Sequence, residues 1–110
     1  MPYYSVQTGD TATAAANTEV VLTIAASSVV RHVLKAVDIT YSAAPTNGLL
    51  TIEEGSGNVV RSFTIGTQTS FSKEFPSDGL ILDRNVALVV RLSAGGSGVI
   101  GRINVTRSAG

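Results

Sequence analysis

Apolar and polar residues alternate with a period of two along most of the chain, most cleanly near its C-terminal end. Val86, Leu88, Val90 and Leu92 alternate with Ala87, Val89 and Arg91. Val99, Gly101, Ile103 and Val105 alternate with Ile100, Arg102, Asn104 and Thr106. Successive strand side chains point to opposite faces, so the pattern predicts two half-buried strands. We read them as an antiparallel hairpin across the turn 94–97. Upstream, apolar stretches recur about every ten residues, the spacing of sandwiches and barrels. They predict strands over 20–25, 29–41, 49–53, 59–65, 69–75 and 80–82.

The stretch 29–41 is long and its parity is mixed. Val37, Ile39 and Tyr41 share one face, but Leu34 falls on the other and Lys35 on the apolar one. One extra residue flips every later side chain, so a bulge or bend near 34–36 is predicted. The run 43–48 is a turn, with Asn47-Gly48 supplying positive φ, and 55–58 closes a hairpin. The expected fold is all-β: an antiparallel two-sheet β-sandwich with jelly-roll-like connections and seven or eight strands. Its core is expected to hold Val37, Ile39, Leu50, Ile52, Phe63, Ile65, Val86, Leu88, Val90, Leu92, Ile103 and Val105.

Residues 1–18 lack this periodicity and are assigned to an N-terminal arm or edge strand ahead of a sandwich domain over 19–110. Tyr3, Tyr4 and Val6 are the expected partner-binding residues of that arm. Tyrosine offers a large contact area with only two χ angles to freeze.

Composition sharpens the fold class. Val, Ile and Thr supply 33 of the 110 residues and Leu only eight, a β-branched balance that suits a pleated sheet. One domain of this length buries enough surface for a core without metals or disulfides. Eight basic against eight acidic residues speak against a nucleic-acid partner. No apolar run reaches the roughly 18 residues of a membrane span, so no membrane partner is expected. The start MPYYSVQTGD lacks the basic and apolar regions of a secretory signal, and synthesis in a cytoplasm is expected. The absence of cysteine excludes thiolate metal sites and thiol catalysis.

Candidate chemistry is thin. The letters G-x-G-x-x-G at 96–101 precede a period-2 strand rather than the helix a dinucleotide site needs, so no cofactor is expected. His32 is the only histidine, and no local signature gives it a nucleophile or carboxylate. Ser70-Phe71-Ser72-Lys73 spells S-x-x-K without the companion motifs of that enzyme class. Glu53 and Glu54 are adjacent on a strand, point to opposite faces and do not pair as catalytic carboxylates. Asp78 and Asp83 lack the pattern of a calcium loop, so no metal is expected. Arg61, Arg84, Arg91, Arg102 and Arg107 all lie in the C-terminal half and are candidates for a basic strip. No enzyme is expected.

Three stretches carry a resemblance: V-D-I-T-Y-S-A-A-P-T-N-G-L-L-T-I over 37–52, E-G-S-G-N-V-V over 54–60, and L-S-A-G-G-S-G-V over 92–99. Together they resemble small β-sandwich structural proteins of tailed bacteriophages, most like capsid decoration (cement) proteins. The resemblance covers roughly residues 30–107, with Glu54 departing from the family's aspartate, and no motif in it is catalytic. It implies a non-enzymatic virion protein on the capsid surface that stabilises the assembled head. The implied partners are copies of itself, as a homotrimer, and the major capsid protein. The alternative is a tail, fibre or adhesin-type β-sandwich module that binds a host glycan or another virion protein. The absence of tryptophan, with three tyrosines in all, removes the usual sugar platforms.

Overall fold

The computed structural model describes residues 8–55, 57–75, 79–83 and 85–109. Nine strands lie among them: β1 (Thr8–Thr13), β2 (Val20–Ile24), β3 (His32–Tyr41), β4 (Gly48–Glu54), β5 (Val59–Gly66), β6 (Ser70–Glu74), β7 (Leu80–Ile81), β8 (Leu88–Leu92) and β9 (Gly101–Ala109). They form two antiparallel sheets. One runs β1-β9-β3-β6, with the two-residue β7 also on β3; the other runs β2-β8-β4-β5. With β7 set aside, this is the nested order of a jelly roll, in which first and last strands pair and each sheet draws from both halves of the chain. The count exceeds the expected seven or eight because residues 8–13, inside the stretch assigned to an arm or edge strand, form β1 against β9.

Two sequence expectations need correction. The strands β8 and β9 do not pair with each other; they lie in opposite sheets. Each shows clean alternation because each turns one face to the same core, and that pattern does not distinguish a neighbour within a sheet from one across the sandwich. Nor do Asn47 and Gly48 adopt the positive φ expected of an Asn-Gly turn. Glycine fits at 48 for lack of space, since a Cβ there would stand 2.8 Å from Cβ of Ile65 on β5.

The register of β3 shifts against β9 between Leu34 and Ala36, where the mixed parity predicted it. The extra residue brings Leu34 onto the face of Val37, Ile39 and Tyr41, and all four are buried. The bulge also marks a change of neighbour on the opposite edge of β3. Val33 and Leu34 pair with β7, whereas 36–40 pair with β6. The carbonyl of Lys35, displaced at that step, accepts from Phe75 N at 2.9 Å.

Ten of the twelve expected core residues are buried; Phe63 and Val86 are half-buried and pack against the cluster. The Phe63 ring stands 5.5 Å from Phe71, joining β5 of one sheet to β6 of the other along the sandwich margin. Leu34, Tyr41, Leu82, Val20 and Val99 complete the interior. Both Leu34 and Leu88 are fully enclosed. Leu34→Ala and Leu88→Ala are each expected to cost about 2–5 kcal/mol in chemical denaturation. Val29→Ala, at a side chain 76% exposed, is expected to stay within about 0.5 kcal/mol.

Candidate functional site

The two longest sequence motifs, 37–52 and 92–99, meet at one end of the sandwich. Tyr41 closes β3 with its ring in the core and donates its hydroxyl hydrogen to the carbonyl of Ser93 at 2.8 Å. Burial pushes the phenol pKa up, opposed by its hydrogen bond to Ser93, so this donor keeps its proton through the neutral range. The Ser93 hydroxyl accepts from Leu49 N at 2.9 Å and donates to the Asn47 carbonyl at 3.2 Å. Backbone bonds run from Thr46 N to the Gly95 carbonyl (3.0 Å) and from Ser42 N to the Ile100 carbonyl (2.9 Å). Ile100 N returns a bond to the Ser42 hydroxyl at 2.9 Å. A Cβ at Gly95 would stand 2.5 Å from Cγ1 of Val99 and 3.0 Å from Cδ1 of Tyr41. These serines, tyrosine and glycine tie the loop 42–47 to the loop 93–100, and both serine hydroxyls are engaged in that tie.

The second polar cluster lies on the outer face of the four-stranded sheet. Pairing of β4 with β8 sets Thr51 opposite Arg91 and Glu53 opposite Val89. Arg91 donates from Nε to Oε2 of Glu53 (2.9 Å) and from one terminal nitrogen to Oε1 of Glu19 (2.8 Å). Thr51 donates its hydroxyl to Glu53 at 3.2 Å, and Gly57 N donates to the other carboxylate oxygen at 2.6 Å. Glu53 is therefore buried, with 2% of its surface exposed, although it sits on the outward face. The Arg91 hydrogen bond is the main cause that holds its carboxyl below the usual range. Burial opposes it, while Gly57 N–H, the Arg91 charge and Thr51 assist. Sequence reasoning missed this cluster. Its signal was a pair of opposite charges, Glu53 and Arg91, each on the polar face of a strand whose other face is apolar. Glu54 instead accepts from Asp83 N at 2.8 Å, so the adjacent glutamates serve separate anchors.

The remaining candidates are not brought together. His32 is buried, with Nε2 2.7 Å from the Ala25 carbonyl and, among the described residues, no hydrogen-bond partner for Nδ1. The candidate arginines form no strip among the described residues. Arg107 bonds Asp10 at 2.6 Å and Arg91 is occupied as above. Arg61 and Arg102 belong to different sheets, and Arg84 lies outside the described residues. Asp83 is exposed and Asp78 lies outside the described residues. No group of three His, Asp or Glu suited to a metal ion occurs among the described residues. The expected partner-binding residues Tyr3, Tyr4 and Val6 also lie outside them.

No protein-family model and no curated protein matches the chain. Solved structures resemble it, two of them as follows. The crystal structure of PirA aligns with a TM-score of 0.53 at 15% identity, covering 88% of this chain and 92% of that one. The fold is similar to that of PirA. A chain from Bacillus endospore appendages, which form disulfide-linked pili, aligns with a TM-score of 0.43 at 15% identity, covering 96% and 90%.

These findings overturn the bacteriophage reading. PirA is not a capsid decoration protein, and with that reading go the capsid-surface location and the major capsid protein as partner. The physical reason lies in what the motifs encode. The stretches 37–52 and 92–99 supply the loop tie of a jelly roll, a packing solution that carries no information about a shell.

Gly95→Ala is expected to cost about 1–3 kcal/mol in thermal or chemical denaturation, because the added methyl forces Val99 and Tyr41 apart. Glu53→Gln is expected to cost about 2–3 kcal/mol at pH 7. That is less than the 3–5 kcal/mol of a fully enclosed pair, since Arg91 is 30% exposed and keeps Glu19. The folded carboxyl titrates below its unfolded value of about 4.3. Its stabilisation is complete above that value and is lost as pH falls through the folded one. Denaturation at pH 7 and pH 3 should therefore show the gap between wild type and Glu53→Gln narrowing in acid.

Proposed function

We propose that the protein is a non-enzymatic jelly-roll module that acts by binding, and that it assembles with copies of itself. With the capsid reading withdrawn, the binding-module alternative remains. What supports it is the use made of the chain's polar side chains. The hydroxyls of Tyr41, Ser42 and Ser93 and the carboxylates of Glu53 and Glu54 are bonded to backbone or to arginine within the sandwich. They hold strands and loops in place and present no nucleophile paired with a base.

Self-association is supported by the surface. Charged residues make up 15% of the chain, well below the roughly 25% of ordinary globular domains, and net charge is zero. Such a surface favours association, and most soluble homo-oligomers are closed and symmetric. These 110 residues contain no cysteine, so an assembly built from them is not held by disulfides. The trimer implied by the phage resemblance has no separate support. Sedimentation equilibrium at tens of micromolar, a range that populates moderate-affinity complexes, is expected to give a mass above the 11.3 kDa of one chain. A single monomeric species across that range overturns the reading.

A further inference from the structure

We propose that the free edge of β2 pairs antiparallel with β2 of a second copy, joining two four-stranded sheets into one across a two-fold axis. This rests on the self-assembly reading and names the surface that carries it.

A two-sheet sandwich leaves edge strands with unpaired backbone groups, and proteins blunt such edges with charges, bulges or short strands. Three of the edges here are blunted. In β1, the Asp10 carboxylate is held by Arg107. The register of β5 slips against β4, and β5 carries Arg61, bonded to the Val60 carbonyl. The edge beside β3 is split between β6, with Lys73 and Glu74, and the two-residue β7. By contrast, β2 reads Val20-Val21-Leu22-Thr23-Ile24, with no charge, proline or glycine, and pairs with β8 without a register shift.

Its side chains are also incompletely covered. Leu22 and Ile24 face the core yet are only half-buried, and Val21 on the outer face is 41% exposed. Alternate residues of an antiparallel strand send their N–H and C=O groups to one neighbour and the rest away from it. Because β2 ends its sheet, one of those two sets faces no strand among the described residues.

The second copy is favoured because the strand is complementary to itself. Antiparallel pairing centred on Leu22 sets Val21 of one copy opposite Thr23 of the other, and Val20 opposite Ile24. β-branched pairs are favourable cross-strand neighbours. Glu19, which precedes the strand, falls opposite Ala25, so the two glutamates sit at opposite ends of the interface and do not repel. The same construction on β6, centred on Ser72, sets Lys73 against Phe71 and Glu74 against Ser70.

The test uses Thr23, an exposed outer-face residue opposite Val89 of β8. Across the two-fold axis the Thr23 side chains of the two copies are diagonal neighbours, within reach of long charged groups. Thr23→Lys, Thr23→Glu and their equimolar mixture are compared with wild type by sedimentation velocity from about 1 to 100 μM. The expected result is a wild-type dimer, roughly two- to fivefold weaker association for each variant alone, and recovery in the mixture, where unlike charges meet. Hydrogen exchange on the wild type is expected to show protection within 20–24 rising with concentration. Variants that associate as wild type does, a mixture no stronger than its components, or protection in 20–24 unchanged while dimers form would each overturn the β2 interface and leave self-assembly standing. A wild type that stays monomeric overturns both.

Discussion

Everything in this sandwich depends on the phase of β3. A strand with one face on a core admits no uncompensated shift of register, because a slip of one residue exchanges inside for outside. β3 lies between β9 on one side and β7 and then β6 on the other, and both faces of the problem are solved at one bulge. The extra residue keeps Leu34 and Val37 on the same side, and it falls where the neighbouring strand changes. Without it, either Leu34 or the Val37-Ile39-Tyr41 set would turn to solvent. The sheet that carries the largest strand pairing would then lose part of its apolar face.

The outer surfaces obey a second constraint. A sandwich only two layers deep has little room to hide polar atoms, so polar side chains are used to pin strands and loops from outside. Arg91 bridges Glu53 on β4 to Glu19 just ahead of β2, stitching three of the four strands of its sheet. At the loop-tied end, Ser93 and Tyr41 perform the same office between segments about fifty residues apart in sequence. An isolated surface ion pair contributes little. The Glu53 pair differs because its carboxylate is buried and also accepts from Gly57 N, between β4 and β5.

Much of the fold was legible as alternation. The bulge showed itself because Leu34 and Lys35 broke parity, and the core followed from the period-2 sets in β3, β4, β8 and β9. What alternation does not encode is which strand lies beside which. A strand facing a core has the same pattern whether its successor pairs with it or crosses to the other sheet, and so β8 and β9 read as a hairpin. Gly48 was misread for a related reason: a glycine needed for close approach to Ile65 looks the same in sequence as one needed for positive φ. The Glu53–Arg91 cluster was hidden because its partners are 38 residues apart and each alone resembles a solvated outward charge. The phage resemblance was carried by loop-tie residues, which report packing.

The nested strand order has a consequence for synthesis. β1 completes its sheet only by pairing with β9, whose partner residues run from Arg102 to Arg107. β2 waits for 88–92. At roughly 5–20 residues per second on a ribosome, both N-terminal strands emerge seconds before anything exists for them to pair with. For β4 the delay is short, because β5 follows directly across a hairpin. The nascent chain therefore passes through a stage in which β4 already has β5 within reach while the apolar Val20-Val21-Leu22-Thr23-Ile24 still lacks its β8 partner. Neighbouring ribosomes on one message would hold several such strands close together at that stage. The segment most exposed to misassembly during translation is thus the one that, in the finished sandwich, still keeps an open edge.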